Sequence, residues 1–463
     1  MNVLLISTYE LGRQPFGLAS PAAWLRQAGH SVAALDLSRQ PLDPAAVRRA
    51  ELVAFYLPMH TATRLALPII DHVRELNSAA HLCAYGLYAP PNAVLLRSRG
   101  VRSIIGGEFE EDLVRVAAAA GSIDVTDDRG SQRRVPRLSF LVPSRDDLPP
   151  LSNYSSLVLP GGERRVVGYT EASRGCKHLC RHCPVVPIYD GQFRIVNLNV
   201  VMADIRTQVV RGAQHITFGD PDFFNGIGHA MRVVDGLARE WPDLTYDVTI
   251  KIEHLLRHAN HLPHLRDTGC LFVTSAVESV DDRVLQILDK GHTRQDFVRV
   301  ADLCLRVGLM LSPTFVAFTP WTTLDGYGDL LRTIVEMDLV GHVAPIQLAL
   351  KLLLPEGSRL LELAHVRDMI GPFDSESLVY PWTHSDPKVD TLQRDIATLV
   401  ATRVPGAPRS ATFREICALA RLDEGYALKP SSASPVDAAT AVPYLDEPWY
   451  CCAEPLPVGE ELV

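Results

Sequence analysis

Short apolar segments alternate with amphipathic helical patterns twice along this chain, and this alternation limits the fold more than any other feature. Buried strands that alternate with helices are typical of a doubly wound parallel sheet. The first round therefore predicts a Rossmann-like α/β domain over residues 1–125. Its predicted strands are residues 3–7, 32–37, 52–57, 82–85 and 104–106.

The second round of alternation covers residues 166–355 and predicts a partial (β/α)6 barrel, in which ligands meet at the carboxyl ends of the strands. The Asp-, Arg-, Ser- and Pro-rich stretch over 126–165 reads as a linker. Residues 356–463 form a C-terminal extension that we expect to wrap around the open side of the barrel. The predicted barrel strands are residues 167–170, 215–218, 246–252, 271–276, 311–317 and 346–352.

Composition narrows the class of function. The chain has 463 residues and a net charge of −9, without a long Lys/Arg cluster, which argues against a nucleic-acid partner. No apolar run reaches the roughly 18 residues of a membrane-spanning helix, and no signal peptide is evident. Nine cysteines are too few for a disulfide scaffold at this length. We therefore expect a cytoplasmic protein that acts on a small molecule.

Three of these cysteines lie in one short segment, Arg-Gly-Cys-Lys-His-Leu-Cys-Arg-His-Cys-Pro. Cys176, Cys180 and Cys183 can converge there on one small object, and three thiolates suit a 4Fe–4S cluster. The fourth iron would then have no protein ligand and could bind a substrate. A Cys3His zinc site, with His178 or His182 as the fourth ligand, is the alternative. A disulfide would leave one thiol over.

The CxxxCxxC spacing resembles the signature of the radical S-adenosylmethionine (radical SAM) enzymes, although His182 stands where that family usually has an aromatic residue. The resemblance implies that the open iron binds S-adenosylmethionine (SAM) and that the reduced cluster breaks one of its carbon–sulfur bonds. An electron donor such as flavodoxin or ferredoxin is implied as a partner.

Segments that follow two predicted strands extend this resemblance. Gly-Asp-Pro-Asp-Phe-Phe begins at residue 219, where the family contacts the SAM amino group, so Asp220 is the predicted acceptor and Asp222 a substitute for it. Ala-Val-Glu-Ser ends at Ser279 and resembles a segment in which Glu278 and Ser279 would contact SAM. The pattern over 282–291 also resembles the family. An Asx turn is the structural alternative for Asp220.

The N-terminal domain resembles in layout the cobalamin-binding module that precedes many radical SAM barrels. Cobalamin is therefore a further candidate cofactor. However, the first strand is followed by Thr-Tyr-Glu-Leu-Gly, so the Asp-x-His-x-x-Gly motif with the lower cobalt ligand is missing. A scaffold without cobalamin is the alternative.

Adjacent cysteines near the end of the chain, Cys451 and Cys452, are candidate ligands for an acceptor, and a vicinal disulfide, a redox relay or a chance pairing is the alternative. Soft sulfur ligands select soft, thiophilic partners. The segment Cys451-Cys452-Ala-Glu-Pro resembles the terminus that defines the CUAEP/CCAEP-tail radical SAM family. Within that family the chain resembles enzymes of arsinothricin biosynthesis. This likeness implies that Cys451 and Cys452 hold trivalent arsenic, as arsenite, and that the 3-amino-3-carboxypropyl group of SAM is transferred to it.

Two other functions stay open on the sequence alone. One is a cobalamin-dependent radical SAM methyltransferase of a small-molecule natural product, which the N-terminal layout favours. The other is a non-catalytic metal or metalloid sensor, in which both groups of thiols only bind.

Overall fold

A computed structural model describes residues 1–119, 135–403, 407–422 and 442–447. In these residues the chain forms two main sheets flanked by helices. The strands are β1 Asn2–Ser7, β2 Ser31–Asp36, β3 Leu52–Tyr56, β4 His81–Tyr85, β5 Ser103–Ile105, β6 Ser156–Val158, β7 Arg164–Thr170, β8 Ser173–Gly175, β9 Phe193–Ile195, β10 His215–Phe218, β11 Thr245–Thr249, β12 Cys270–Glu278, β13 Met310–Phe315 and β14 Tyr444–Leu445.

Helices follow most of the strands, as the α/β class requires. They are α1 Phe16–Gln27, α2 Pro44–Arg49, α3 His60–Leu76, α4 Ala93–Ser98, α5 Glu110–Ala118, α6 Val186–Tyr189, α7 Leu198–Val210, α8 Ile227–Glu240, α9 Ile252–Arg257, α10 Leu262–Asp267, α11 Asp282–Leu288, α12 Arg294–Val307, α13 Leu324–Glu336, α14 Ala364–Arg367, α15 Pro387–Ala401 and α16 Arg409–Leu419.

The N-terminal sheet is parallel throughout, with strand order β2-β1-β3-β4-β5. Its central strands are apolar on both faces because helices cover both sides, and every residue of β3 and β4 is buried. The strand order reverses between β1 and β3, which is where such sheets open a crevice at their carboxyl edge. The prediction of a Rossmann-like first domain is confirmed.

The second sheet is a curled half-barrel with strand order β13-β12-β11-β10-β7-β6-β14. Strands β7 and β10 to β13 are parallel, whereas β6 and β14 extend the sheet with antiparallel pairings. The predicted α/β class with a partial barrel is confirmed. The antiparallel edge was not predicted, because β6 lies in the stretch that reads as a linker.

The sixth predicted barrel strand, over residues 346–352, does not form as a regular strand. A 3₁₀ helix occupies Pro345–Leu348, and an isolated parallel bridge between Phe318 and Lys351 is what remains of the pairing. Leu348, Leu350 and Leu352 are nevertheless buried. The apolar pattern therefore predicted correctly that these leucines are buried, but an apolar pattern alone does not distinguish a strand from a short helix.

A buried ion pair holds the segment before β6 to the barrel. The Arg145 guanidinium donates to both Asp204 carboxylate oxygens, at 2.8 and 2.9 Å, and to the carbonyl oxygen of Tyr169 at 2.7 Å. It also donates to the Gln14 side chain of the N-terminal domain at 2.8 Å. Arg145 thereby links both domains. In the described part of the chain, no helix is long and apolar enough to span a membrane.

Candidate functional site

The cysteine loop begins directly after β8, which pairs with β9 to form a small hairpin around it. Cys176 and Cys180 are buried and Cys183 is half-buried. Gly175 precedes the first cysteine with a φ of +75°, and a side chain there would lie 2.5 Å from the carbonyl oxygen of Gln192. Only glycine therefore suits this turn. Within the described residues none of the three cysteines forms a disulfide.

Two buried lysines face the cysteine thiols. Lys251, which follows β11, places its Nζ 3.5 Å from the Cys180 Sγ. Burial lowers the pKa of Lys290, which follows α11, but the Glu278 carboxylate and, to a smaller extent, Cys180 and Cys183 raise it, and the net pKa is raised. Burial raises the pKa of Cys176 to about 11, so nearby cations or a metal are needed to ionise it. Three thiols in one short loop beside two cations suit an iron–sulfur cluster.

The histidines proposed for a zinc site have other partners. His182 Nε2 lies 3.1 Å from a Glu278 carboxylate oxygen. His178 Nε2 lies 3.3 Å from Asp222 Oδ2, and the His254 Nδ1 lies 2.6 Å from the same oxygen. Cys176, His178 and Asp222 form a group that could hold a metal ion, because their potential ligand atoms lie within 4.8 Å of one another. This arrangement leaves Cys180 and Cys183 out, so it does not form the Cys3His site.

Glu278 lies at the carboxyl end of β12, where the pairing with β13 shifts register, and its φ is +68°. Its carboxylate accepts from Lys290 Nζ at 3.2 Å and contacts His182. Burial alone would raise the pKa of Glu278, but Lys290 and His182 outweigh burial and hold it well below its usual range. Glu278 therefore fixes the residue next to Cys183. A direct contact with SAM stays a prediction.

Asp220 supports the start of the cysteine loop. One of its carboxylate oxygens accepts from the Ala172 amide at 2.9 Å and the other accepts from the Ser173 hydroxyl at 2.5 Å. The Ser279 hydroxyl accepts from the Asp281 amide at 3.1 Å, in the turn before α11. The predicted SAM contacts of Asp220 and Ser279 also stay predictions. Cys451 and Cys452 lie outside the described residues.

Sequence reasoning missed the roles of Lys251, Lys290 and Arg174. Lys251 follows a strand, so its position pointed to the site edge, but a solvated rim would give the same pattern. Arg174 precedes the cysteine loop and its side chain is 7% exposed, with ion pairs to Glu108, Glu110 and Glu171. Two of these partners come from the N-terminal domain, and no local pattern connects them to the loop.

The pH dependence of the unfolding free energy tests how ionisation of Asp220 affects stability. Burial raises the pKa of Asp220 to about 7 from 3.8, although the hydrogen bonds from Ser173 and Ala172 oppose this. The folded state thus favours the protonated form, and stability falls as the pH rises between these values. We expect Asp220→Asn to exceed the wild type in unfolding free energy by on the order of 3 kcal/mol at about pH 8.

Denaturant unfolding across the pH range measures this difference, which should shrink to near zero at about pH 4. A difference independent of pH would contradict the assignment. Asp302→Asn is the matched control, because its ion pair with Arg306 is exposed and should contribute less than about 1 kcal/mol at any pH.

Comparison with known proteins identifies the kind of domain that contains these residues. The Radical SAM superfamily model matches residues 170–320, which include the cysteine loop, Asp220 and Glu278. A tRNA-2-methylthio-N(6)-dimethylallyladenosine synthase from Sulfurihydrogenibium sp. (strain YO3AOP1) is 24% identical over 196 residues, covering 38% of this chain and 42% of that protein. The chain thus matches less than half the length of this relative.

Two solved structures share most of the fold. One is the cobalamin-dependent SAM radical enzyme OxsB with aqua-cobalamin bound, with a TM-score of 0.67 and 14% identity over 86% of this chain and 66% of that one. The other is the radical SAM methyltransferase TsrM from Kitasatospora setae with cobalamin and a [4Fe-4S] cluster bound, with a TM-score of 0.52 and 18% identity over 72% of this chain and 70% of that one.

At these identities the likeness extends to the fold alone. The family match and the cysteine loop carry the chemical conclusion. Residues 170–320 of this chain form a radical SAM domain, which implies a 4Fe–4S cluster and SAM as its cofactors.

Proposed function

We propose that the protein cleaves SAM reductively at a 4Fe–4S cluster bound by Cys176, Cys180 and Cys183, and transfers the 3-amino-3-carboxypropyl group to trivalent arsenic held by Cys451 and Cys452. The radical SAM domain supports the first half of this proposal. The second half depends on the sequence resemblance of the tail and on one structural observation, which is where residues 442–447 lie.

Residues 442–447 bring the chain to the loop that follows β1. Val442 is buried against Leu157, and β14 pairs with β6. Glu447 then accepts from the Tyr9 hydroxyl at 3.2 Å and contacts Arg39 at 3.4 Å. Cys451 follows four residues later, within at most about 14 Å along an extended chain.

The same β1 loop also reaches the carboxyl ends of the barrel strands. Arg13 lies 5.0 Å from the centre of the Tyr169 ring at the end of β7. A side chain on Gly219 would lie 1.8 Å from the Tyr169 hydroxyl, so this ring covers the residue next to Asp220. One loop therefore connects the start of the tail with the strand ends where SAM is expected. This proximity supports delivery of the tail thiols to bound SAM.

In this proposal each group of residues has a separate task. When bound, the cluster supplies the electron that breaks a carbon–sulfur bond of SAM. Lys251 and Lys290 stabilise the thiolates, while Asp220 accepts from the SAM ammonium and Glu278 with Ser279 contacts SAM. Cys451 and Cys452 hold the arsenic.

The overall change balances. Arsenite, SAM and two electrons from a flavodoxin- or ferredoxin-type donor give the alkylated trivalent arsenic acid, methylthioadenosine and hydroxide. One arsenic–carbon bond forms, one arsenic–oxygen bond breaks, and the sulfonium loses the carbon on its methionine side.

Product analysis tests this function. Reconstituted enzyme with reductant, SAM and arsenite should form methylthioadenosine together with an arsenic compound that carries the aminocarboxypropyl group. Liquid chromatography with arsenic-specific mass spectrometry measures both. Reactions without arsenite or without reductant are the controls. If 5′-deoxyadenosine were the sole product derived from SAM, the transfer would be excluded.

A cobalamin-dependent radical SAM methyltransferase is the second candidate. The fold likeness to OxsB and TsrM agrees with this function as well as with the first. It predicts a cobalamin spectrum after growth with hydroxocobalamin, and S-adenosylhomocysteine as a product. A non-catalytic metalloid sensor predicts neither a 4Fe–4S spectrum nor SAM turnover, and the Radical SAM superfamily match argues against it.

A further inference from the structure

The carboxyl edge of the N-terminal sheet is the place where a doubly wound domain would hold a cofactor. The OxsB and TsrM structures contain cobalamin, so the fold raises the question of whether this edge suits cobalamin here. The residues at this edge answer the question, because segments of the radical SAM domain, the linker and the C-terminal extension lie against the edge.

The radical SAM domain inserts Arg174 at the β5 end of this edge. Its guanidinium lies 3.3 Å from Glu108, on the segment that joins β5 to α5, and 2.8 Å from Glu110, the first residue of α5. It also donates to the Ser20 hydroxyl of α1 at 3.2 Å. The Tyr189 hydroxyl adds a hydrogen bond to Glu108 at 2.9 Å. Both glutamate side chains are fully buried.

Aromatic rings complete this contact. The Arg174 guanidinium lies 5.5 Å from the Phe16 ring, 5.4 Å from the Phe109 ring and 4.9 Å from the Phe140 ring. These distances suit cation–π contacts in a desolvated site. A cavity at this contact, lined in part by Phe16, Ser20, Glu171 and Arg174, has a volume of about 10 Å³. That is room for about one water molecule.

The β1 and β3 ends of the edge are covered by other segments. A side chain on Gly12, after β1, would lie 2.0 Å from the Ser155 hydroxyl and 2.7 Å from Glu447. His60, at the start of α3, lies 2.6 Å from the carbonyl oxygen of Ser377. The crevice between β1 and β3 is therefore flanked by the linker, the C-terminal extension and the start of the tail.

The β4 end contacts the cysteine loop itself. Leu87, in the loop after β4, packs against the apolar group that contains Cys176, Val185 and Tyr189. A corrin ring between this loop and the cluster would have to displace these contacts, and ligands of that size need several hundred Å³. The residues present do not fit cobalamin.

We propose that the carboxyl edge of the N-terminal sheet is an internal docking surface that positions the cysteine loop through Arg174, and that it binds no cobalamin. Arg174 is two residues from Cys176, so its partners in the first domain set where the first cluster ligand begins. This inference is independent of the arsenic acceptor, and its tests do not use arsenic.

Cobalamin binding tests the first consequence. The full-length protein with its reconstituted cluster is mixed with hydroxocobalamin, passed over a desalting column and assayed for cobalt and for the corrin absorbance. We expect cobalt at the level of a protein that binds no cobalamin. Saturable cobalamin binding that survives the column would overturn the proposal and favour the methyltransferase.

Cluster retention tests the second consequence. Arg174→Met should release cluster iron to a chelator roughly 10-fold more readily, as expected when a group that orients metal ligands is lost. Arg145→Met is the matched control, because Arg145 is equally buried and ion-paired but does not adjoin the cysteine loop. It should lower the unfolding temperature without changing iron release. Equal iron release in the two variants would overturn the role of Arg174.

Two more conservative variants repeat this test with smaller expected losses of stability. Glu108→Gln keeps the shape of the glutamate but weakens the bond to Arg174, and Arg174→Lys keeps the charge but not the fork. Both should release iron at rates between those of the wild type and Arg174→Met. The electron paramagnetic resonance spectrum of the reduced cluster should change in the same order. An unchanged spectrum in all three variants would contradict positioning.

Discussion

Cys176→Ser, Cys180→Ser and Cys183→Ser are each expected to lose the 4Fe–4S cluster and to reduce SAM cleavage to background. In the proposed site three thiolates bind three of the four irons, and the fourth iron has no protein ligand. Loss of one thiolate leaves two irons without a protein ligand, so we expect the cluster to be lost. Iron and sulfide content, the visible spectrum and SAM consumption after anaerobic reconstitution measure these effects.

Cys304→Ser is the matched control for these variants. Cys304 is buried in the main hydrophobic core, away from the cysteine loop, and burial raises the pKa of its thiol to about 12. Such cysteines behave as small apolar residues. This variant should lose some stability but keep its iron and its activity. A loop variant that kept a full cluster would show that another residue is the ligand.

Cys451→Ala and Cys452→Ala are expected to abolish formation of the arsenic–carbon bond while leaving the cluster and its reduction unchanged. In the proposed function these thiols only present the acceptor, whereas Cys176, Cys180 and Cys183 bind the cluster. Product analysis by arsenic-specific mass spectrometry, with iron content measured on the same sample, separates the two losses.

A matched substitution tests whether the anchoring of residues 442–447 matters for this delivery. Tyr9→Phe removes the hydrogen bond to Glu447 and keeps the ring. We expect it to slow arsenic transfer without affecting cluster content, while Cys417→Ala, which alters a buried cysteine of the core, should leave transfer unchanged. Full transfer by a Cys451→Ala, Cys452→Ala double variant would exclude the tail thiols as the arsenic ligands.

Periodicity predicted the layers of this fold well, because consecutive buried strands and helices leave a strong local signal. It failed at residues 346–352, where leucines that face the core gave the pattern of a strand in a segment that begins with a 3₁₀ helix. It also missed β6, whose three residues pair with β7 and with the distant β14. Short strands that depend on remote partners leave little local signal.

In the candidate site, too, local features could be predicted from the sequence and long-range contacts could not. Spacing alone predicted Cys176, Cys180 and Cys183 as cluster ligands, since ligands to one cluster must lie close together. The partners of Glu278 and Arg174 could not be predicted in this way. His182 is 96 residues from Glu278 and Glu108 is 66 residues from Arg174, so only the folded chain brings these charges together.

The ladder between β6 and β14 has a consequence for biosynthesis. Ser156 donates its amide to Asp446, so this edge joins residues 290 positions apart. Until the ribosome has released residue 446, β6 remains an open edge, and Val442 cannot yet fill its place beside Leu157 and Val167. The half-barrel is therefore completed long after the cysteine loop has been synthesised, and a nascent chain will expose an unfinished sheet while the thiols of that loop are already present.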